Sequence, residues 1–285
     1  MSEGMNELNE HRAGKLHGLW ALTNRELKKW YKAPVIFILS IIQPILWMGL
    51  LGKALNIGSL IPTNIPGVDP KVVLLQTFGT SDYFSFMSVG MIAFTALFTT
   101  MFSGMSVVWD RRLGFLNKAL STPVSRAVII FSKVLSATLR SMFQAGVIIL
   151  VAVAFGLVFG PHFTLLNLLG VFAMMFLVCV GLSSIFIAIT IRSTRIETPM
   201  AVVNLINLPL MFASNAFFPI AKMPYDWLKA IANVNPLSYT TDAVRQLLIY
   251  DTNWGQLGLD FAYVGVFAVV VATIGIVLSW RFLTK

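Results

Sequence analysis

An all-α integral membrane fold with six transmembrane helices is predicted by three features of the sequence: scarce charge, charge-free intervals long enough to cross a bilayer, and basic residues gathered on one side of them. Of the 285 residues, 57% are hydrophobic and 12% are charged, whereas soluble domains carry charge on about a quarter of their residues. A charge at the bilayer centre costs roughly 2.5 to 3.5 kcal/mol on insertion scales, so uncharged intervals mark where chain can cross. Lys32 to Lys53 encloses 20 uncharged residues, Asp82 to Asp110 27, Glu197 to Lys222 24, and Asp260 to Arg281 20. Each suffices for about 30 Å of hydrocarbon at about 1.5 Å per residue. Arg140 to Arg192 holds 51, and Gly160-Pro161 divides it with a turn signal through which no helix continues. The spans are placed at approximately 34–52, 83–109, 141–159, 165–191, 199–218 and 261–281, after a tail and interface helix over 1–33.

Six crossings put both termini on one side, and short basic loops stay in the cytoplasm. Arg12, Lys15, Arg25, Lys28, Lys29, Lys32, Arg111, Arg112, Lys118, Arg126, Lys133, Arg140, Arg192, Arg195, Arg281 and Lys285 then lie inside, and only Lys53, Lys71, Lys222, Lys229 and Arg245 lie outside. A multi-pass protein of the cell membrane with cytoplasmic termini is expected. The net charge of +9 flanks the spans, where anionic lipid attracts it, and no nucleic-acid recognition motif accompanies it. Cys179 is the single cysteine and lies in an apolar span, which excludes a disulfide frame and a thiolate metal site. The polar, acidic start is not that of a cleavable signal peptide.

Before the first span, Leu16, Leu19, Trp20, Thr23, Leu27, Trp30 and Tyr31 recur at helical spacing with Arg25, Lys28, Lys29 and Lys32 largely off that stripe. This predicts an amphipathic helix in the plane of the cytoplasmic interface. Pro34 suits the first turn of span one. Pro44 frees a backbone carbonyl at depth, and its neighbour Gln43 needs a partner there. Span two carries Ser88, Thr95, Thr99, Ser103 and Ser106 mostly on one face, residues suited to close helix packing or to lining a route. Span five follows Thr198-Pro199 and holds Asn204 and Asn207, amides that face protein or a water-filled cavity.

Two loops stand out. Inside, Leu113, Leu116 and Leu120 form a helical stripe between Arg111-Arg112 and Arg126, ended by Pro123; an exposed apolar face with a basic rim suits a cytoplasmic partner or lipid. Outside, Met223-Pro224 and Asn235-Pro236 each place proline where a helix starts, and Asn235 can cap the second. Two short helices follow, apolar enough to be re-entrant, carrying Trp227 and Ile231, then Val244, Leu247 and Leu248.

From Leu16 onward the chain resembles the ABC-2 type membrane subunits of ATP-binding cassette exporters, in particular the daunorubicin-resistance type. One block runs from Tyr83 to Arg126 and is similar to a "Y..F..PG" entry and a "DR..G.L...L.TPVSR" loop, with Val89 where the family has proline before Gly90. The other comprises Phe218-Pro219, Met223-Pro224, Trp227-Leu228, Asn235-Pro236-Leu237, Asp242 and Arg245 to Leu248. The resemblance implies a half-transporter that pairs with itself or a close homologue above two ATPase subunits, which bind ATP and Mg. It implies a coupling helix around Arg111, Arg112, Gly114, Phe115, Leu116, Leu120, Pro123 and Arg126. It implies a substrate pathway past Gln43, Trp47, Thr95, Thr99, Ser103, Asn204 and Asn207, and an extracellular gate built on Pro219, Pro224, Trp227, Asn235, Pro236 and Arg245.

The chain lacks a phosphate loop, since Gly52-Lys53 has Trp47 at the first glycine position and Ala54 after the lysine. His11, His17 and His162 form no zinc-hydrolase pattern. No catalytic, cofactor or metal residue is assigned. The expected function is export of an amphiphilic drug, lipid or lipid-linked glycan. An ion-coupled secondary transporter is the alternative, but no repeat is evident and the charge-free intervals argue against a proton relay. A membrane-embedded enzyme would need a clustered acid or histidine site, whereas Asp226, Asp242, Asp251 and Asp260 are scattered in sequence.

Overall fold

A computed structural model gives the architecture, describing the backbone of residues 2–54, 69–122, 124–193, 195 and 197–283, with side chains from 17 to 278 among them. Every regular element among these residues is helical. α1 (Ser2–Tyr31) lies against α6 (Arg126–Ala154). α2 (Pro34–Trp47) begins with proline in its first turn and continues as a π-helical stretch, Met48–Ala54. α3 (Pro70–Phe78) precedes α4 (Tyr83–Arg112), the central helix, which Asp82 caps by accepting the Ser85 N–H. α5 (Phe115–Leu120) is short; α7 (Leu165–Thr190) and α8 (Glu197–Phe212) follow. A single 3-10 turn at Ile220–Lys222 leads to α9 (Asp226–Val234), α10 (Pro236–Leu248) and α11 (Trp254–Leu283).

Among the described residues five stretches, where six were expected, are long and apolar enough to cross a membrane: Pro34–Ala54, Pro70–Arg112, Arg126–Ala154, Leu165–Thr190 and Trp254–Leu278. α4 is buried along most of its length, packed by α6, α7, α8 and α10. α2 and α11 turn broad apolar faces outward, among them Val35, Leu39 and Leu50, and Val266, Val269 and Ile274. The break at Gly160-Pro161 falls between α6 and α7 as expected, and Gly160 N–H donates to Leu248 O at 2.9 Å. With Val89 in place of proline, α4 runs unbroken past Gly90. A Cβ on Gly90 would meet Ala216 O at 2.1 Å, so only glycine lets the segment after α8 come this close.

The three largest departures from the expected boundaries are these. α6 begins at Arg126, and Lys133 and Arg140 lie inside it instead of in a loop before residue 141. α11 begins at Trp254 and encloses Asp260. In both cases the charge ruler failed because it priced each charge alone, while these side chains bond to protein. α8 has 16 residues and ends at Phe212, not near 218. Asn235 explains that end: its Nδ2 donates to Leu210 O at 2.7 Å and Ala213 O at 2.6 Å, while its Oδ1 accepts the Leu237 N–H. One side chain thus caps the C-terminus of α8 and the N-terminus of α10.

Candidate functional site

The sharpest constellation lies where α1, α4, α5 and α6 meet. Asp110, in the last turns of α4 and 1% exposed, accepts from Lys133 Nζ at 2.5 Å, Lys29 Nζ at 2.7 Å, and Arg25 Nη2 at 3.3 Å. Glu26 is the second carboxylate, at 2.8 Å from Arg25, 3.0 Å from Lys29 and 3.4 Å from Lys133. Lys133 is 4% exposed and also donates to Ser106 Oγ at 3.1 Å. Three cations surround two carboxylates, and Asp110, Glu26 and Lys133 are buried while Arg25 and Lys29 reach solvent; in such a setting removal of one buried partner is costly.

This cluster holds the short helix α5. The Arg25 guanidinium lies 3.2 Å from the centroid of the Phe115 ring, at the first residue of α5. Gly114 joins α4 to α5 at φ +72°, a left-handed turn that other residues adopt only with strain. Leu116 and Ala119 are buried among Val107, Ile129, Ile130, Val134, Ile187 and Ile191, with Leu120 packed alongside. The expected apolar docking face is therefore covered by the chain itself. Helical spacing tells which residues share a face but not which side the protein occupies. What remains outward is Leu113, at 82% exposed, with Arg112, Gly114, Asn117, Lys118, Ser121 and Thr122. Arg111 is half-buried and Arg126 begins α6; Pro123 lies outside the described residues.

The pathway candidates divide in two. Gln43 and Trp47 face outward on α2, and Asn204 faces outward on α8. Thr95, Thr99, Ser103 and Asn207 are buried. Thr95 Oγ1 donates to Met91 O at 2.8 Å, and Ser103 Oγ donates to Lys133 O at 3.2 Å. Thr99 Oγ1 donates to Gln144 Oε1, and Gln144 Nε2 donates to Ser40 O at 3.3 Å. Pro44 has no N–H for the carbonyl four residues back, and Gln144 supplies the missing donor. Asn207 Nδ2 approaches Met101 Sδ at 3.6 Å, while its Oδ1 is buried without a partner. An apolar cavity of about 280 Å³ lies away from these seven, lined by α1, α6, α7 and α11 residues such as Leu19, Val134, Val180 and Ile276.

On the opposite end, Arg245 is fully buried instead of lining an open loop. Its Nη1 donates to Asn215 O at 2.6 Å, its Nη2 donates to Ala216 O at 2.9 Å and Phe86 O at 3.2 Å, and its Cζ stacks 3.5 Å from the Phe86 ring centroid. Asn235 and Pro236 are buried beside it at the start of α10. Trp227 is exposed on α9, Pro219 precedes the 3-10 turn and Pro224 lies two residues before α9. Arg245 and Asn235 thus fix the segment 210–216 against α4 and α10. Sequence reasoning missed Asp110, Glu26, Lys133, Gln144 and Asp260; the available signal was a lone acid set in each basic run, Glu26 beside Arg25 and Asp110 beside Arg111.

Comparison with known proteins gives a consistent answer. The profile of the ABC-2 type transporter family matches residues 17–249. A protein of Porphyra purpurea provisionally named transport permease ycf38 is 34% identical over 236 residues, covering 82% of this chain and 74% of its own. The daunorubicin resistance ABC transporter permease protein DrrB1 of Streptomyces coeruleorubidus is 23% identical over 180 residues, covering 63% of this chain and 62% of its own. Nodulation protein J of Sinorhizobium fredii is 22% identical over 253 residues, covering 88% of each.

Proposed function

This chain belongs to the ABC-2 type transporter family, and we propose that it is the membrane-spanning permease subunit of an ABC exporter, moving an amphiphilic drug, lipid or lipid-linked glycan on ATP hydrolysed by a separate subunit. The observation that carries the reading is the way α5 is held. Phe115 is clamped by Arg25, and Leu116 and Ala119 are sunk into the ends of α4, α6 and α7, so a push on α5 is delivered directly to three long helices. A docked ATPase would meet Leu113, Asn117 and Lys118. Two such ATPases, binding ATP and Mg, would sit beneath two copies of this chain or one copy and a close homologue.

In this reading α8 completes a sixth crossing with the residues that follow it. The domain runs over 34–285, both termini lie in the cytoplasm of the cell membrane, and α9 and α10 dip back from the outer face as the gate. The substrate route runs between subunits, which accords with Gln43, Trp47 and Asn204 standing outward; Thr99 and Ser103 then support it by holding α4 to α6. The outward apolar faces of α2 and α8 suit such a pairing and surrounding lipid. The test is ATP-dependent uptake of amphiphilic dyes and lipids into inverted membrane vesicles. Uptake that requires ATP and is unaffected by collapsing ion gradients is expected; uptake driven by an ion gradient without ATP would replace this reading with a secondary transporter.

A further inference from the structure

α10 and α11 meet at two aspartates that the exporter reading does not use. Gln246 Nε2 donates to Asp242 Oδ2 and to Asp260 Oδ2, each at 3.1 Å, and Gln256 Nε2 donates to Asp260 Oδ1 at 3.0 Å. The two carboxyl groups thus converge on one amide nitrogen. Asp260 is fully buried and Gln246 is 5% exposed.

Among the described residues neither aspartate forms an ion pair. Arg245, one turn along α10, has its Nη atoms committed to the carbonyls of Asn215, Ala216 and Phe86. The phenols nearby donate elsewhere: Tyr239 to Asn233 O, Tyr263 to Val234 O, and Tyr250 to Phe78 O. From α4 the facing titratable group is Tyr83, and α7 contributes only the buried Cys179. On α9, Asp226 and Lys229 pair with each other at 3.2 Å; Asp251, beyond α10, faces His162 at 3.9 Å. The basic residues of α6, Arg126, Lys133 and Arg140, lie in its first half, toward the opposite end of the molecule.

Two carboxylates that converge on one amide, Asp260 fully buried and Asp242 half-buried, with neither in an ion pair and Arg245 attracting Asp242 only from one turn away, are not both ionised, because like charge and the loss of hydration act together. Hydrogen-bond accounting points the same way. Gln246 Oε1 is buried and has no donor, so the cluster holds more acceptors than hydrogens, and a proton shared by the carboxyl groups narrows that deficit by one. A metal ion fits less well, since the amide N–H groups of Gln246 and Gln256 point at the oxygens that an ion would need.

We propose that Asp242 and Asp260 hold one proton between them, forming a proton-binding site that keeps α10 closed on α11 and loosens that joint when the proton leaves. The pair titrates as a unit. At lower pH it carries at most one negative charge and the joint is closed; at higher pH two negative charges abut and separate. In the topology proposed above the site reads the pH of the outer compartment, and only that clause rests on the exporter reading.

The test is infrared spectroscopy of the full chain in vesicles of ether-linked phosphatidylcholine, whose lipids have no ester carbonyl. A protonated-carboxyl C=O band is expected at neutral pH, fading as pH rises. It should be lost in Asp260→Asn and in Asp242→Asn, and kept in Asp226→Asn, whose carboxylate is 99% exposed. Hydrogen exchange over residues 236–248, corrected for its intrinsic pH dependence, should rise with pH in the wild type and stay flat in Asp260→Asn. Absence of the band, a band that survives both substitutions, exchange indifferent to pH, or a band abolished by added calcium with increased protection would each overturn the proposal. None of these readouts needs an ATPase, so the outcome is separate from that of the transport experiment.

Discussion

Arg25 lies over Phe115, with its guanidinium carbon 3.2 Å from the ring centroid, and this contact joins the N-terminal helix α1 to the short helix α5. A cation on an aromatic face contributes about 0.5 to 2 kcal/mol depending on desolvation. Phe115→Leu keeps the bulk and removes the quadrupole. It is expected to lower ATP-driven transport more than it lowers thermal stability, measured by paired vesicle uptake and melting in detergent.

Asp110→Asn leaves Lys133, 4% exposed, facing a neutral amide with Ser106 Oγ at 3.1 Å and Glu26, its one remaining carboxylate, at 3.4 Å. Removing one partner of a buried pair costs roughly 3 to 5 kcal/mol. A marked loss of melting temperature and of folded yield is expected, with partial recovery in Asp110→Asn combined with Lys133→Met. If the double variant is no better than the single one, the charge network is not what stabilises this corner.

Gly90→Ala forces a methyl group against Ala216 O, while Gly265 on α11 has nothing within 4 Å of an added Cβ. Overpacking against backbone costs about 1 to 3 kcal/mol, whereas alanine for glycine in an open helix gains roughly 0.5 to 1 kcal/mol. Melting of the two variants should therefore move in opposite directions.

Leu113→Asp and Leu116→Asp separate docking from folding. Leu113 is 82% exposed and Leu116 is 3% exposed. The first variant should fold with wild-type yield but fail to retain an ABC ATPase on affinity purification; the second should fail to fold, because it buries an unpaired charge.

Much of the fold is legible in the charge spacing. The uncharged interval after Lys32 became α2 with its π-helical extension, and the Gly160-Pro161 break separates α6 from α7. The illegible part shares one cause: the partner that makes a polar residue tolerable is distant in sequence. Lys133 sits inside α6 because Asp110 is on α4. Arg245 is buried because Asn215, Ala216 and Phe86 offer carbonyls. Pro44 leaves no orphan because Gln144 reaches Ser40 O from another helix. Thr99 and Ser103 belong to the same class, since their stripe was evident but not its occupation by Gln144 and the Lys133 carbonyl. Between α9 and α10, by contrast, the Asn235 cap was local and therefore readable.

The account turns on the outward side of α5 being where an ATPase subunit docks. A photocrosslinking residue at position 118, exposed on α5, and another at position 229, on α9 at the opposite end, test this in native membranes. Capture of an ABC ATPase from position 118 and none from position 229 is the expected result. Capture from 229, or from neither position while a control site in the same membranes crosslinks, would contradict it.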